Sequence, residues 1–454
     1  MPATRPDRVK RLSPARSVVL AFLVAIAVGT LLLRLPYAHA PGENHGWLTA
    51  LFTATSAVCV TGLVVVDTGA AWSPFGQLVI ALLIKAGGIG ILSLGALVAL
   101  ATGRRVGFGE RQRLQVQANA LSVGGIVRFV RALLIYTSSA ELLGALALWP
   151  RLARDDGLWA GAWSALFHAL SAFNNAGFSL YADSLERYVA DPWVSGVVML
   201  LFVVGGLGLV VVVDIGLRFG LAANGARRRR VTLHTRLALS TTLVLALAGA
   251  AAIGTLEWRN PATLGALAPN ARPLAATFQA LTPRTAGFNT LDLEAYRTSS
   301  VFVTMGLMLV GGNPGSTAGG VKTTTLAVLL LAVVAAARGR VRVAAFGRTI
   351  GTETITKAAV LATLAVVTVG LVATVLVHTE PALAPLSVVF EAVSAFATVG
   401  LSLGITNELS DVGRGALVFL MFVGRVGLLT VALALAAAER APSARYPIED
   451  VVVG

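Results

Sequence analysis

The chain has 454 residues, 56% hydrophobic and 13% charged, with a formal net charge of +14 and a mean hydropathy of +0.79. Such values lie outside the usual range of soluble globular domains and point to a bilayer. One cysteine, Cys59, excludes an intramolecular disulfide, and the five histidines show no metal-ligand spacing, so redox and metal chemistry have no support.

A hydrocarbon core of about 30 Å needs roughly 20 apolar residues per helix. Eight segments fit that demand, beginning near Val18, Trp72, Ala132, Val194, Leu237, Val301, Ala358 and Ala416. Leu237 to Leu256 and Ala358 to Val377 are the clearest. With their loops the segments occupy all 454 residues, leaving no room for a soluble catalytic domain. The first run, Val18 to Leu33, follows a basic stretch but precedes no small-residue cleavage site, and is read as a retained helix.

Basic residues gather before the first span (Arg5, Arg8, Lys10, Arg11, Arg16) and after every second one (Arg104, Arg105, Arg111, Arg113; Arg227 to Arg230; Arg338, Arg340, Arg342, Arg348). By the positive-inside rule both termini are cytoplasmic. The charge is therefore read as topological, with no nucleic-acid partner.

Four segments share the pattern Phe-x-Ala-x-[Ser/Thr]-[Ala/Pro] and then a glycine followed by Leu or Phe. They run from Phe52 to Gly62, Phe167 to Gly177, Phe278 to Gly287 and Phe390 to Gly400, and their glycines are separated by 115, 110 and 113 residues. A second cluster follows each: Gly87-Gly88-Ile89-Gly90, Gly205-Gly206-Leu207-Gly208, Gly311-Gly312-Asn313-Pro314 and Gly424-Arg425-Val426-Gly427. The phased recurrence predicts four units. These are 1–115, 116–228, 229–345 and 346–454, each a helix, a re-entrant loop and a second helix. The expected fold is an all-α polytopic membrane protein with eight transmembrane helices in pseudo-fourfold symmetry around one pore.

Each Phe-to-Gly segment is too short to span and too apolar for an ordinary exposed loop. It is read as a short re-entrant helix followed by extended backbone. Such backbone is tolerated at membrane depth only where protein buries it or it lines a watery cavity. Glycine permits positive φ and close approach, so Val60-Thr61-Gly62, Asn175-Ala176-Gly177, Thr285-Ala286-Gly287 and Thr398-Val399-Gly400 are placed to aim carbonyls at an axis and replace the hydration shell of an alkali cation. The negative helix C-termini favour a cation over an anion. Close helix packing is the alternative reading of these glycines, and for Gly87, Gly90, Gly205 and Gly208 it is the preferred one.

These motifs resemble the Trk/Ktr/HKT superfamily of potassium transporters, and most closely the membrane subunit of bacterial Ktr systems. The resemblance is carried by Thr61-Gly62-Leu63, Asn174-Asn175-Ala176-Gly177-Phe178, Thr285-Ala286-Gly287-Phe288-Asn289, Thr398-Val399-Gly400-Leu401 and the run from Gly311 to Thr325. It covers essentially the whole chain. It implies a homodimer of pseudo-fourfold protomers in the bacterial cytoplasmic membrane, contacting lipid, with a cytosolic ring of nucleotide-binding RCK-type regulatory subunits. Some relatives carry serine for the first filter glycine and favour sodium. Gly62 therefore favours potassium as the transported ion, with sodium as a candidate activator. The absence of two extra leading helices and the ending from Arg445 to Gly454 resemble the Ktr type.

The run Gly311, Gly312, Asn313, Pro314, Gly315, Ser316, Thr317, Ala318, Gly319 and Gly320 cannot hold a continuous helix. The resemblance makes it an intramembrane gating loop, 311–325, below the filter. A Walker A reading fails because Val321 separates Gly320 from Lys322 and no strand precedes it. Arg425, costly at about 2.5 to 3.5 kcal/mol in mid-span, takes from the resemblance the role of a pore-facing barrier touching the loop. A packing arginine paired with an acid is the alternative. Lys322 closes the loop toward the cytoplasm or anchors the interface. Lys85 and Glu141, also within spans, are read as an ion pair, and Cys59 as packing beside the filter. A coupled carrier and a non-transporting receptor are the rival classes. The common orientation of the four repeats opposes the first, and the receptor leaves Arg425 and the four loops without purpose.

Overall fold

The computed structural model describes residues 14–90, 126–219 and 230–435. Every unit starts with a long apolar helix: α1 (Pro14–Leu33), α4 (Ile126–Asp156), α8 (Leu233–Glu257) and α12 (Thr352–Thr379). A shorter helix follows, α2 (Trp47–Cys59), α5 (Leu158–Phe173), α9 (Arg272–Leu281) or α13 (Pro385–Ala397). Helices α3 (Pro74–Ile89), α6 (Pro192–Leu207) with α7 (Leu209–Phe219), α10 (Thr298–Leu309) with α11 (Thr323–Ala337), and α14 (Asp411–Val426) with α15 (Leu428–Leu435) complete the units.

Local sequence sets these starts. Ser73 and Ser410 accept backbone N–H bonds from Gly76 and Gly413, and Asp191 accepts from Trp193 and Val194. Pro74 and Pro192 follow their caps at the first helical position, where no N–H is missed.

Among the described residues four helices are long and apolar enough to cross a membrane alone, and a fifth crossing forms if α6 and α7, bent by 91°, count as one span. The expected break at Gly311–Gly320 is present. The spans expected from Val194 and Ala416 are also interrupted, contrary to the continuous helices predicted: α6 stops at Gly208 (φ 79°) and α14 at Gly427 (φ 92°). In both, the second glycine cluster ends the helix, as Gly90 (φ 84°) ends α3. The all-α expectation also misses a small hairpin, Ala344–Ala345 paired with Arg348–Thr349. Phe346 and Gly347 both have positive φ at its turn, as a tight two-residue hairpin loop requires.

The units join in one circular sense. Helix α3 packs on α5, α6 on α9, α10 on α13, and α14 returns to α2. The motif phenylalanines Phe52, Phe167, Phe278 and Phe390 are at most 1% exposed and anchor the short helices inside this ring. Leucine and valine side chains on the long helices point outward instead, including Leu143 on α4, Leu247 on α8 and Leu371 on α12. That inversion of the soluble pattern is what lipid contact demands, since every backbone polar group of these helices is satisfied internally. The chain is a multi-pass membrane protein.

Of the basic clusters, Arg230, Arg338, Arg340, Arg342 and Arg348 are exposed. The leading arginines up to Arg11, Arg104 to Arg113, Arg227 to Arg229 and the ending from Arg445 lie outside the described residues.

Candidate functional site

Each short helix leads into the same bend. Val60, Asn175, Thr285 and Thr398 adopt positive φ (57°, 58°, 76° and 52°), and two residues later Gly62, Gly177, Gly287 and Gly400 do so again (93°, 69°, 78° and 92°). A left-handed residue at a helix end is ordinary for glycine and costly for valine or threonine, so the surroundings must impose it. The motif hydroxyls help. Ser56 Oγ accepts from Gly62 N at 3.0 Å, and Ser394 Oγ from Gly400 N at 3.1 Å. The intervening N–H groups of Thr61, Ala176 and Val399 turn back to the carbonyls of Ser56, Ser171 and Ser394 at 2.8 to 2.9 Å. With the donors directed into their own helices, the bend's carbonyls are left for other partners.

The four bends meet. A Cβ on Gly62 would lie 2.4 Å from the Ala176 carbonyl oxygen, one on Gly177 3.1 Å from that of Ala286, one on Gly287 2.1 Å from that of Val399, and one on Gly400 2.1 Å from that of Thr61. Each glycine thus faces the carbonyl preceding the glycine of the next repeat, and the fourth closes on the first. Only residues lacking a side chain permit backbone to approach so closely. All twelve residues expected to form the lining, Val60 to Gly62, Asn175 to Gly177, Thr285 to Gly287 and Thr398 to Gly400, are in this one cluster.

On one side of the ring opens a vestibule of ≈ 410 Å³, floored by the four glycines and walled in part by Asp67, Glu186, Asp292 and Glu294. Burial, and then the neighbouring carboxylates Asp292, Asp183 and Glu294, hold the Glu186 carboxyl above its usual range. Asn289 donates to it at 2.7 Å.

The chain from Val310 to Thr323 packs against the bends and the helix breaks. Its base is pinned by Gly311 N to Val321 O at 2.9 Å and Thr323 N to Gly312 O at 3.2 Å, and the Thr323 hydroxyl bonds to the Asn313 side chain. Asn313 N donates to the Gly206 carbonyl at 3.0 Å. Thr317 Oγ1 reaches Asn175 Oδ1 at 3.1 Å and the Phe173 carbonyl at 3.3 Å. A Cβ on Gly319 would lie 1.9 Å from Thr398 Oγ1. Arg425 donates to the Thr317 carbonyl through Nη1 and to the Gly87 carbonyl through Nη2 at 2.6 Å. Lys322 Nζ donates to the carbonyls of Ala318 and Gly319 at 2.6 and 3.2 Å. Both cations therefore bind carbonyls, and among the described ion pairs neither has a carboxylate partner.

A family model described as a cation transport protein, TrkH, matches residues 13–446. The chain belongs to this family of cation transporters. Its members are transporters rather than enzymes. The Ktr system potassium uptake protein B of Bacillus subtilis is 40% identical over 98% of this chain and 97% of its own length. The potassium/sodium uptake protein NtpJ of Enterococcus hirae is 36% identical, covering 98% of both chains. The crystal structure of the potassium transporter TrkH from Vibrio parahaemolyticus shares the fold with a TM-score of 0.74 and 18% identity, over 96% of this chain and 87% of that one.

In this cation transporter the expected ion pair between Lys85 and Glu141 forms, at 2.5 Å. What lay beyond sequence reading is that Glu141 also accepts from Asn174 Nδ2 at 2.7 Å, linking the pair to the residue before the second bend. Gly87 and Gly205, expected as packing glycines, share one role with Gly424. A Cβ there would lie 2.0, 1.9 and 1.8 Å from the carbonyl oxygens of Val58, Phe173 and Phe396, each four residues before a bend glycine. Arg284, buried at the end of α9 and donating to Thr242, gave no signal beyond following Pro283. Cys59 is fully buried in the core.

Proposed function

We propose that this chain carries potassium ions inward across the bacterial cytoplasmic membrane, through a filter formed by Val60 to Gly62, Asn175 to Gly177, Thr285 to Gly287 and Thr398 to Gly400. The observation that carries the reading is the cyclic contact between each bend glycine and the next repeat's carbonyl. A ring of backbone oxygens replaces water around a dehydrated alkali cation, and the acidic vestibule raises cation concentration at its mouth. Relatives named for potassium uptake support the choice of ion, and a relative named for potassium and sodium keeps sodium as a candidate activator.

In this reading eight spans surround the pore as four repeats. The chain from Gly311 to Gly320, held by Lys322 and Arg425, obstructs the path and moves on gating. Arg425 adds a positive barrier beneath the filter. Both termini face the cytoplasm. The name "Ktr system" carried by relatives supports a separate regulatory subunit, here a cytosolic nucleotide-binding ring docked on basic loops, with two protomers paired as a homodimer.

The test is rubidium flux into liposomes holding the purified protein, with sodium as competitor. Wild type conducts rubidium down its gradient without a coupled counter-ion, and Gly62→Ser lowers the preference for rubidium over sodium. Equal preference in the serine variant removes Gly62 from the filter, and obligatory counter-ion movement replaces the channel reading with a carrier.

A further inference from the structure

Behind the fourth bend lies a carboxylate that the filter reading does not use. Glu391 is on α13, directly after the motif phenylalanine, and is 1% exposed. Its Oε1 accepts from the hydroxyls of Ser402 and, at 2.8 Å, Thr406. Those residues lie on the irregular segment that leaves Gly400, and Ser402 Oγ in turn accepts from Gly404 N at 2.9 Å. Oε2 is buried with no hydrogen-bond partner among the described residues. A buried carboxylate needs a compensating reason, because desolvation alone makes it costly.

The same position supplies a brace in two other repeats. His168 Nε2 lies 3.0 Å from Ser179 Oγ and accepts from Leu180 N at 3.3 Å. Gln279 turns its amide oxygen to Thr290 N and Leu291 N at 3.0 and 2.9 Å. Ser179 and Ser402 each stand two residues after a bend glycine, so the second and fourth repeats make the same cross-link. In the first repeat Thr53 occupies the position, and its hydroxyl is buried without a partner among the described residues. The first bend therefore lacks the cross-link, while the fourth has the only carboxylate among the four positions.

Resting on the filter reading, we propose that Glu391 is a positioning residue for the fourth bend: its bonds to Ser402 and Thr406 hold the segment after Gly400 and thereby set the discrimination among alkali cations. The residue acts through Ser402 and the backbone, not by touching the ion. Removing it frees the buried Thr406 hydroxyl and the half-buried Ser402 hydroxyl and lets the Val399 and Gly400 carbonyls relax toward a smaller or partly hydrated ion.

The test measures rubidium over sodium preference in proteoliposomes for Glu391→Ala, Glu391→Gln and the Ser402→Ala/Thr406→Ala double variant, alongside Gly400→Ala. Glu391→Ala is expected to lower the preference about tenfold, the factor produced by losing ~1.4 kcal/mol, within the usual range of a hydrogen bond. Glutamine keeps an acceptor oxygen and restores most of the preference. The double variant, which leaves α13 untouched, reproduces the alanine result and decides the matter if Glu391→Ala does not fold. Wild-type preference in the double variant, or equal damage in the alanine and glutamine variants, overturns the proposal. If Gly400→Ala alters preference while the Glu391 and hydroxyl variants do not, the filter reading stands and the brace fails. If none alters it, the filter reading itself fails.

Discussion

Arg425 and Gly87 are 338 residues apart in sequence and joined by a 2.6 Å bond from Nη2 to the glycine carbonyl. Nη1 of the same guanidinium holds the Thr317 carbonyl in the glycine-rich loop from Gly311 to Gly320. One planar fork therefore ties the loop to the end of α3, a geometry that an ammonium does not reproduce. Arg425→Ala removes two charge-assisted bonds worth ~1.5–3 kcal/mol each. Faster rubidium flux is expected, with Arg425→Lys intermediate. Unchanged or slower flux in the alanine variant would exclude the loop as an obstruction.

The glycines of the second clusters allow a sharp contrast. A Cβ at Gly424 would sit 1.8 Å from the Phe396 carbonyl oxygen, whereas one at Gly196 in α6 has nothing within 4 Å. Because backbone must shift, Gly424→Ala should cost at least the 1–3 kcal/mol typical of overpacking and reduce uptake. Gly196→Ala should be neutral or stabilising by up to about 1 kcal/mol. Thermal unfolding in detergent, compared with uptake, checks both; equal melting temperatures would show that α14 tolerates separation from α13.

Lys85 and Glu141 form a pair whose side chains are 19% and 8% exposed. Truncating the lysine leaves a buried carboxylate with Asn174 as its remaining donor. Breaking a buried pair this way costs about 3–5 kcal/mol. Lys85→Ala should therefore melt well below wild type in nanodiscs. Glu141→Gln, which keeps an acceptor for Asn174, should be milder. A Lys85→Ala protein as stable as wild type would place the pair in contact with water.

Glu186 gives the vestibule a pH response. Burial and nearby carboxylates raise its folded-state pKa, so as pH falls it takes up a proton before an ordinary glutamate does. The stability linked to that proton is fully present below the unfolded pKa and is lost as pH rises through the folded one. Transport moves the opposite way: acidification removes a negative charge at the mouth and should raise the apparent KM for rubidium. Glu186→Gln should show a raised KM at neutral pH and a flatter profile. Superimposable profiles for the two proteins would remove Glu186 from cation attraction.

Much of this molecule was legible in the chain because a bilayer narrows the choices. Apolar length marks helices, and recurrence of Phe-x-Ala-x-[Ser/Thr] before glycine marks four short helices with bends, since each segment is too short to span and too apolar for an exposed loop. Hydropathy could not foresee that α6 and α14 stop at Gly208 and Gly427, because an apolar run reads alike whether straight or bent. Nor could spacing tell which groups meet across hundreds of residues. That Gly400 faces Thr61, that Arg425 finds Gly87 and Thr317, and that Glu391 lies behind the fourth bend are decided by circular packing of the units. Local sequence determines how each segment bends; only tertiary packing sets which carbonyl each bend meets, because that contact depends on how separate helices pack.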